Sequence, residues 1–370
     1  MLVNWDVHRR LNGQVLQSPN VYLPDQPYWF FKYWPEPVEV DVIDYSRLPI
    51  LHHLERFRLK FYIWQILKAL PKLSNYDLIL SHGAQSGVLL AFLRSILKSK
   101  MPPHIIIDVG CFNGARNNTL ELAPLKIAAK SLAGVITHTS KQSIYYQNCL
   151  PALKERHRFV PFGTDPEFFK PLNLPEEDYI LCVGYMKRDW ETLLAALSGL
   201  QSNTTLKLVG AAGRLKLPAG VAASKKIECL PYVPIGELKR IMAQARLVVL
   251  PLPYQLYSFG QMSLLQAMAM GKAVIVSNVP GITDYVQDGQ NALLVRPYDY
   301  LEMREKIDYL LKHPPERARI GEAARKSVEE KYNEKNMAEG IYRSCCELLS
   351  LKSSEQQRTL LVLKAEVKEA

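Results

Sequence analysis

No stretch of the 370-residue chain approaches 18 consecutive apolar residues, so nothing in it reads as a membrane-spanning helix. Cysteine is scarce. The six residues Cys111, Cys149, Cys182, Cys229, Cys345 and Cys346 contain no C-x-x-C pair, which argues against a disulfide framework or a zinc site and for reduced thiols. The eight histidines include no H-E-x-x-H, and there is no D-x-D, so the common metal-binding signatures are missing and no metal site is expected. The absence of G-x-x-x-x-G-K-S/T removes the ordinary P-loop, and the absence of G-x-G-x-x-G weakens a nicotinamide dehydrogenase. The opening MLVNWDVHRR places Asp6, Arg9 and Arg10 in a short apolar stretch. It does not read as a secretory signal, and a cytoplasmic location is the expectation.

What the chain does have is apolar mass and a basic excess. It is 48% hydrophobic and 22% charged, enough for two domain cores. Lys+Arg number 46 against 36 Asp+Glu, and residues 1–170 hold 20 of the former against 13 of the latter. Within 51–72, Arg56, Arg58, Lys60, Lys68 and Lys72 face only Glu55 and interleave with Phe57, Phe61, Tyr62 and Trp64. Two readings remain open: a sheet-covering helix with a solvated basic face, or an element resting on the anionic inner face of a membrane. Nucleic acid is not expected, because no reader motif accompanies the charge.

Short β-branched runs alternate with helical patterns. Strands are expected at 38–44, 76–82, 104–110 and 134–139, and helices at 54–70, 87–100 and 123–133. MLVNWDV is a candidate first strand. A Pro-containing break over 170–175, followed by Glu176-Glu177-Asp178, reads as a linker. Alternation then resumes, with strands at 179–185, 205–211, 226–232, 246–252, 273–278 and 292–297. Helices follow at 190–200, 235–245 and 261–270, with one long polar helix over 300–331. The expected fold class is α/β: two Rossmann-like domains whose parallel sheets face a central cleft. The last twenty residues read as a helix or tail of no legible function.

Two segments carry the chemistry. In 257–299, a loop with Phe259-Gly260 enters a helix at about Gln261, and Gly271 ends that helix. Such an entry offers unpaired N–H groups and the positive end of a helix dipole to a phosphate. In 183–197, Gly184 ends a strand, and Lys187 and Arg188 precede a helix capped by Asp189. A guanidinium there is placed to clamp a diphosphate, or else forms a surface charge pair beside the cap. In the first half, Asp108 and His82 end strands. Asp108 is a candidate for orienting an acceptor hydroxyl or stabilising sugar charge, or a cap for the loop after it; His82 is a candidate for the same site, or a partner of turn backbone.

These blocks together resemble glycosyltransferase family 4, the retaining GT-B group. The resemblance covers most of the chain. It rests on Val160-Pro161-Phe162-Gly163-Thr164-Asp165 with Phe169-Lys170-Pro171, and on Gly184 with Arg188-Asp189-Trp190-Glu191-Thr192-Leu193-Leu194. The strongest run comprises Phe259-Gly260, Leu264-Leu265, Ala267-Met268-Ala269 and Gly271-Lys272-Ala273-Val274, followed by Asp288-Gly289-Gln290-Asn291 and Leu294-Val295. Three positions depart: the family's two glutamates are Ser258 and Gln266 here, and its arginine after the strand-end glycine is Tyr185.

The resemblance implies a sugar transfer from a nucleotide diphosphate sugar, UDP-linked in preference to GDP-linked, to an acceptor hydroxyl, with retention and without a cofactor. It implies Gln266 on the ribose, backbone around Tyr232 near the base, and Lys187, Arg188 and the 260–262 amides (Gly260, Gln261, Met262) on the diphosphate. The acceptor is expected to be a glycan or lipid-linked. The expected domains are 1–172 for the acceptor, 173–332 for the donor, and 333–370 returning to the first. A nucleotide-sugar 2-epimerase, or a non-catalytic member that has lost both glutamates, are the alternatives.

Overall fold

The computed structural model describes residues 1–366 apart from 12, 14, 45–48, 56–61, 84, 98–100, 111, 113–118, 185–186, 201, 213–214 and 216–226, with side chains through Leu351. It divides into two units. The first contains Met1–Arg9, Tyr22–Val160 and the chain from Ala338 onward; the second contains Arg10–Val21 and Pro161–Met337. The boundaries thus fall at 160/161 and 337/338, where the sequence placed them at 172/173 and 332/333. The segment ahead of Pro171 packs with the second unit: Phe169 is fully buried in its core, and the Phe162 N–H donates to the Tyr285 hydroxyl at 2.8 Å.

The first unit is built on a parallel sheet in the order β1 (Leu2–Val3), β2 (Ile79–His82), β3 (His104–Asp108), β4 (Gly134–Thr137) and β5 (His157–Phe159). β2, β3 and β4 are buried along their whole length, as β-branched runs covered on both faces should be. Its helices are α1 (Pro49–His53), α2 (Ile63–Ala69), α3 (Gln85–Leu97), α4 (Thr119–Ser131) and α5 (Ser143–Cys149). The expected strand at 38–44 does not form. Only Ile43 bridges to Leu2, because Val38–Glu39 lie exposed at the sheet edge, where little apolar area is gained by pairing. Of the expected helix 54–70, the described residues show a π-helical Leu54–Glu55 and α2, continued by a 3₁₀ stretch over Leu70–Asn75; 56–61 lie outside the described residues.

The second unit has a six-stranded parallel sheet. In chain order its strands are β6 (Tyr179–Val183), β7 (Thr205–Val209), β8 (Ile227–Leu230), β9 (Leu247–Leu250), β10 (Val274–Ser277) and β11 (Leu293–Val295). Their spatial order is β11-β10-β9-β6-β7-β8. The chain runs outward from β6 through β7 to β8, then returns to place β9 on the other side of β6. That reversal makes a switch point between β6 and β9, and ligands of open parallel sheets bind beyond the carboxyl ends of strands at such points.

Helices α6 (Trp190–Ser198), α7 (Ile235–Gln244), α8 (Gln261–Ala269), α9 (Tyr300–Lys312), α10 (Pro314–Glu330) and α11 (Glu334–Glu366) complete the described elements. The single long helix expected over 300–331 is two. Pro314 and Pro315 lack the N–H that would continue the ladder and disfavour a helical residue before them, so α9 ends at Lys312 with His313 as its cap, and the prolines start α10. Among the described residues no helix is long and apolar enough to cross a membrane.

Two histidines of the first unit, His138 buried and His157 half-buried, sit where their surroundings disfavour the charged ring. His138 Nδ1 lies 2.8 Å from the Val160 carbonyl, and His157 Nε2 2.8 Å from the Thr137 hydroxyl. Burial lowers both rings to about 4 from 6.5, with Arg158 adding to the effect at His157. The unfolded chain takes up protons at these sites from about pH 6.5 downward, while the folded chain resists until about pH 4, so stability is lost as pH falls through that window and is unaffected above it. We expect the urea midpoint to fall between about pH 6.5 and 5, and the slope to be shallower in His157→Gln. A midpoint constant over that range in the wild type would show that these rings are not held neutral.

Candidate functional site

The β6–β9 switch point is occupied by a guanidinium. Arg188 folds back over the strand end: its Nε donates to the Val183 carbonyl at 2.8 Å, and its Nη2 to the Ser263 hydroxyl, on α8, at 3.1 Å. Gly184 is what allows this. A Cβ there would lie 2.3 Å from Nε and 2.4 Å from Cζ of Arg188, so only glycine leaves room for the side chain to lie on the backbone. Burial presses the pKa of Arg188 below its ordinary value, although an arginine keeps its charge. Asp189 anchors the far side of the turn. Its N–H reaches the Pro251 carbonyl at 3.0 Å, and its carboxylate caps α6 through the Thr192 N–H at 3.2 Å and hydroxyl at 2.5 Å.

The second half of the site is the start of α8. Gly260 is its N-cap, at φ +86°, and makes no side-chain cap. The first amides of α8 therefore face outward with the positive end of the helix dipole, beside the cation of Arg188. A Cβ on Gly260 would approach Leu252 Cδ1 to 2.7 Å, so both conformation and space demand glycine. Gln261 holds the entry from beneath, donating from Nε2 to the Gly281 carbonyl at 2.8 Å, while Met262 is exposed. Ser258 is buried and Phe259 half-buried on the approach. Gln266, one turn further, is buried, and its side-chain amide has no hydrogen-bond partner among the described residues.

Other expected residues stand apart from this pair. Lys187, expected to share the diphosphate, has a left-handed backbone (φ +53°) and an exposed ammonium that donates to the Tyr257 hydroxyl and lies 4.3 Å from that ring's centre. Tyr232 follows edge strand β8, two strands from β6, and is 72% exposed. Ser263 was not anticipated; its place three residues after the helix-entry glycine was the available signal.

In the first unit, Asp108 is fully buried and its oxygens are engaged. Oδ1 accepts from the Gly110 N–H at 2.8 Å, and Oδ2 from Gln142 Nε2 at 2.5 Å and the Tyr146 hydroxyl at 2.6 Å. The Gly110 contact is the loop cap that the sequence offered as one of two readings, and Gln142 and Tyr146 fix the other oxygen. His82 does not bond turn backbone through its ring either. It is buried among Trp5, Trp29 and His138.

Residues 164–327 match the family profile described as glycosyl transferases group 1, which takes in Arg188 and the whole of α8. Curated relatives agree in class. The chain is 29% identical over 185 residues to an uncharacterised glycosyltransferase of Methanocaldococcus jannaschii, covering 47% of each. It is 25% identical over 229 residues to D-inositol 3-phosphate glycosyltransferase of Stackebrandtia nassauensis, covering 54% of this chain and 50% of that one. The matches thus span about half the length of these relatives.

Among solved structures, sucrose-phosphate synthase of Thermosynechococcus elongatus superposes with a TM-score of 0.68 at 20% identity, over 90% of this chain and 89% of that one. HepE of Anabaena, solved with UDP, gives 0.67 at 16% identity over 83% and 86%. The two parallel α/β sheets are those of the GT-B glycosyltransferase fold.

The strained entry to α8 is testable by stability alone. Gly260→Ala combines a left-handed φ with a contact against Leu252, and should cost about 1–3 kcal/mol in chemical denaturation. Wild-type stability would show that the loop does not need this conformation.

Proposed function

We propose that the protein is a retaining glycosyltransferase that binds a nucleotide diphosphate sugar, a UDP-sugar in preference to a GDP-sugar, through its second unit. The observation that carries the reading is the Arg188–Ser263 bridge. It fixes a half-buried cation beside the open N-terminus of α8, so fixed positive charge is waiting where a diphosphate leaves. The family match over 164–327 and the UDP bound by HepE support the same assignment. Gln266 has an amide to offer a ribose diol, accepting through its oxygen and donating through its nitrogen, in place of the charged contact a glutamate makes.

In this reading the bond from anomeric carbon to diphosphate oxygen breaks as the acceptor oxygen bonds to the same face of the carbon. The acceptor proton passes to the departing phosphate oxygen. No strong side-chain base is required. Arg188 and the amides of 261–263 stabilise the charge that builds on the leaving group. Transfer needs no metal, and activity should survive EDTA; loss restored by magnesium would refute that part.

The acceptor is a glycan or lipid-linked molecule reached at an anionic surface. α2 supports the surface contact. Ile66 and Ala69 face the core, while Ile63, Leu67 and Leu70 lie exposed on its other side beside Lys68 and beside Lys72, which is paired with Asp41 at 3.1 Å. An apolar stripe flanked by lysines fits an anionic bilayer.

Arg188→Ala should weaken UDP binding by about 1.5–3 kcal/mol and lower turnover with it. Gly184→Ala makes the finer test. The clash falls on the end of a flexible side chain, so the protein should fold while the guanidinium is displaced, and UDP affinity should drop roughly tenfold. Calorimetry reads both. Unchanged UDP affinity in Arg188→Ala would reduce Arg188 to a structural tie.

A further inference from the structure

Along the amino ends of β1 and β2 the first unit carries a groove of about 1180 Å³. Leu2, Ala69, Leu73 and Ile79 form its buried apolar floor, and Phe31 and Trp34 add aromatic wall. Ligands of open parallel sheets bind beyond the carboxyl ends of strands, so the groove stands at the opposite end of its sheet from the usual ligand position. Its volume exceeds the roughly 300–1,000 Å³ of small-molecule sites and suits a short stretch of polypeptide. Pro24, Pro27 and Pro37 restrict its walls, so little order is lost when it is filled.

The free charges on its rim are of one sign. Asp25, Glu39 and Asp77 are exposed, and none has an ion-pair or hydrogen-bond partner for its carboxylate among the described residues. The fourth acid, Asp41, is already engaged by Lys72 at 3.1 Å and by the Tyr76 hydroxyl at 2.6 Å. Both cationic groups of the lining are taken: the Met1 amino group donates to the Asp41 carbonyl at 2.6 Å, and Arg9 Nη2 to the Val42 carbonyl at 2.9 Å. Yet residues 1–170 as a whole carry 20 Lys and Arg against 13 Asp and Glu. An acidic rim on a basic half of the chain selects a cationic partner.

The groove already holds one guanidinium. Arg9 Cζ lies 6.0 Å from the centre of the Tyr22 ring while its Nη2 bonds the Val42 carbonyl. The Tyr22 hydroxyl in turn donates to the Val40 carbonyl at 3.0 Å. With these two carbonyls taken, the run 38–42 is poorly placed to accept an added strand. Recognition therefore falls to side chains, cationic ones for the rim and apolar ones for the floor. Phosphate-bearing surfaces, whether lipid or nucleic acid, meet the same rim with repulsion.

We propose that this groove docks a short cationic segment of a partner protein, one in which Lys or Arg side chains alternate with large apolar ones. The cations meet Asp25, Glu39 and Asp77, and the apolar side chains cover the floor between Leu2 and Ile79. The docking stands independently of the nucleotide-sugar reading, because no residue of the groove takes part in that site.

The test titrates the full chain into fluorescein-labelled pentapeptide amides RLRLR, KVKVK and RFRFR at about 0.15 M salt, following anisotropy. At least one should bind with a dissociation constant of about 300 μM or lower. ELELE, which reverses the charge, and RSRSR, which removes the apolar groups, should bind at least about tenfold more weakly. The double variant Glu39→Lys, Asp77→Lys changes exposed positions only, so it should keep the wild-type melting temperature and lose at least about tenfold in affinity for the cationic peptide. If it does not fold, Glu39→Gln with Asp77→Asn should weaken the same peptide by at least about threefold. Failure of all three cationic peptides to reach that affinity would overturn the proposal. So would RSRSR or ELELE binding as tightly as the best of them, which would remove the floor or the rim from recognition. Wild-type affinity in the double variant would place the peptide elsewhere on the molecule and overturn it equally.

Discussion

A guanidinium lying on a glycine backbone is the contact on which the second unit's site depends. Arg188 reaches the Ser263 hydroxyl only because Gly184 has no side chain, and that reach ties the end of β6 to the first turn of α8. Both elements are adjacent because the sheet reverses its strand order between β6 and β9. Topology brings two loops together, a glycine lets a cation fold over one of them, and a second glycine turns the other so that helix amides point outward. The cation lies partly out of water, so its field on a nearby anion is screened less than that of an exposed lysine such as Lys187.

The charges divide accordingly. Asp108, the one carboxylate the sequence placed at the chemistry, caps the Gly110 backbone and receives Tyr146 and Gln142. In the proposed reaction the chemistry left to the protein is electrostatic: preorganised donors at a leaving group, with the substrate's own phosphate taking the proton. Such a mechanism tolerates serine at 258 and glutamine at 266, since neither position has to move a proton.

Much of the fold was legible because buried parallel strands announce themselves as β-branched runs. β3, written HIIID, and β9, written LVVL, are fully buried and were read directly. The failures share a cause. The run at 38–44 has strand-like alternation, but local pattern does not reveal that Val38 and Glu39 lie exposed and that only Ile43 bridges to β1. β5, only three residues long, has too little apolar sequence to announce itself. The break at Pro314-Pro315 was present in the sequence and was overridden by the polar helical periodicity around it. In the site, residue types with strong local rules were readable, as with Gly260 at a helix entry and Asp189 as a cap. Arg188's partner Ser263 lies 75 positions away, and the packing of Trp5 and Trp29 on His82 is tertiary, which no spacing encodes.

The central claim is that the second unit holds its ligand by the diphosphate. Calorimetric titration of uridine and UDP into the same protein tests it most directly, because the two differ only in the phosphates. The account predicts that UDP binds at least about 100-fold more tightly than uridine, from several charge-assisted hydrogen bonds, and that this margin shrinks as salt is raised. Equal affinities for uridine and UDP would contradict it.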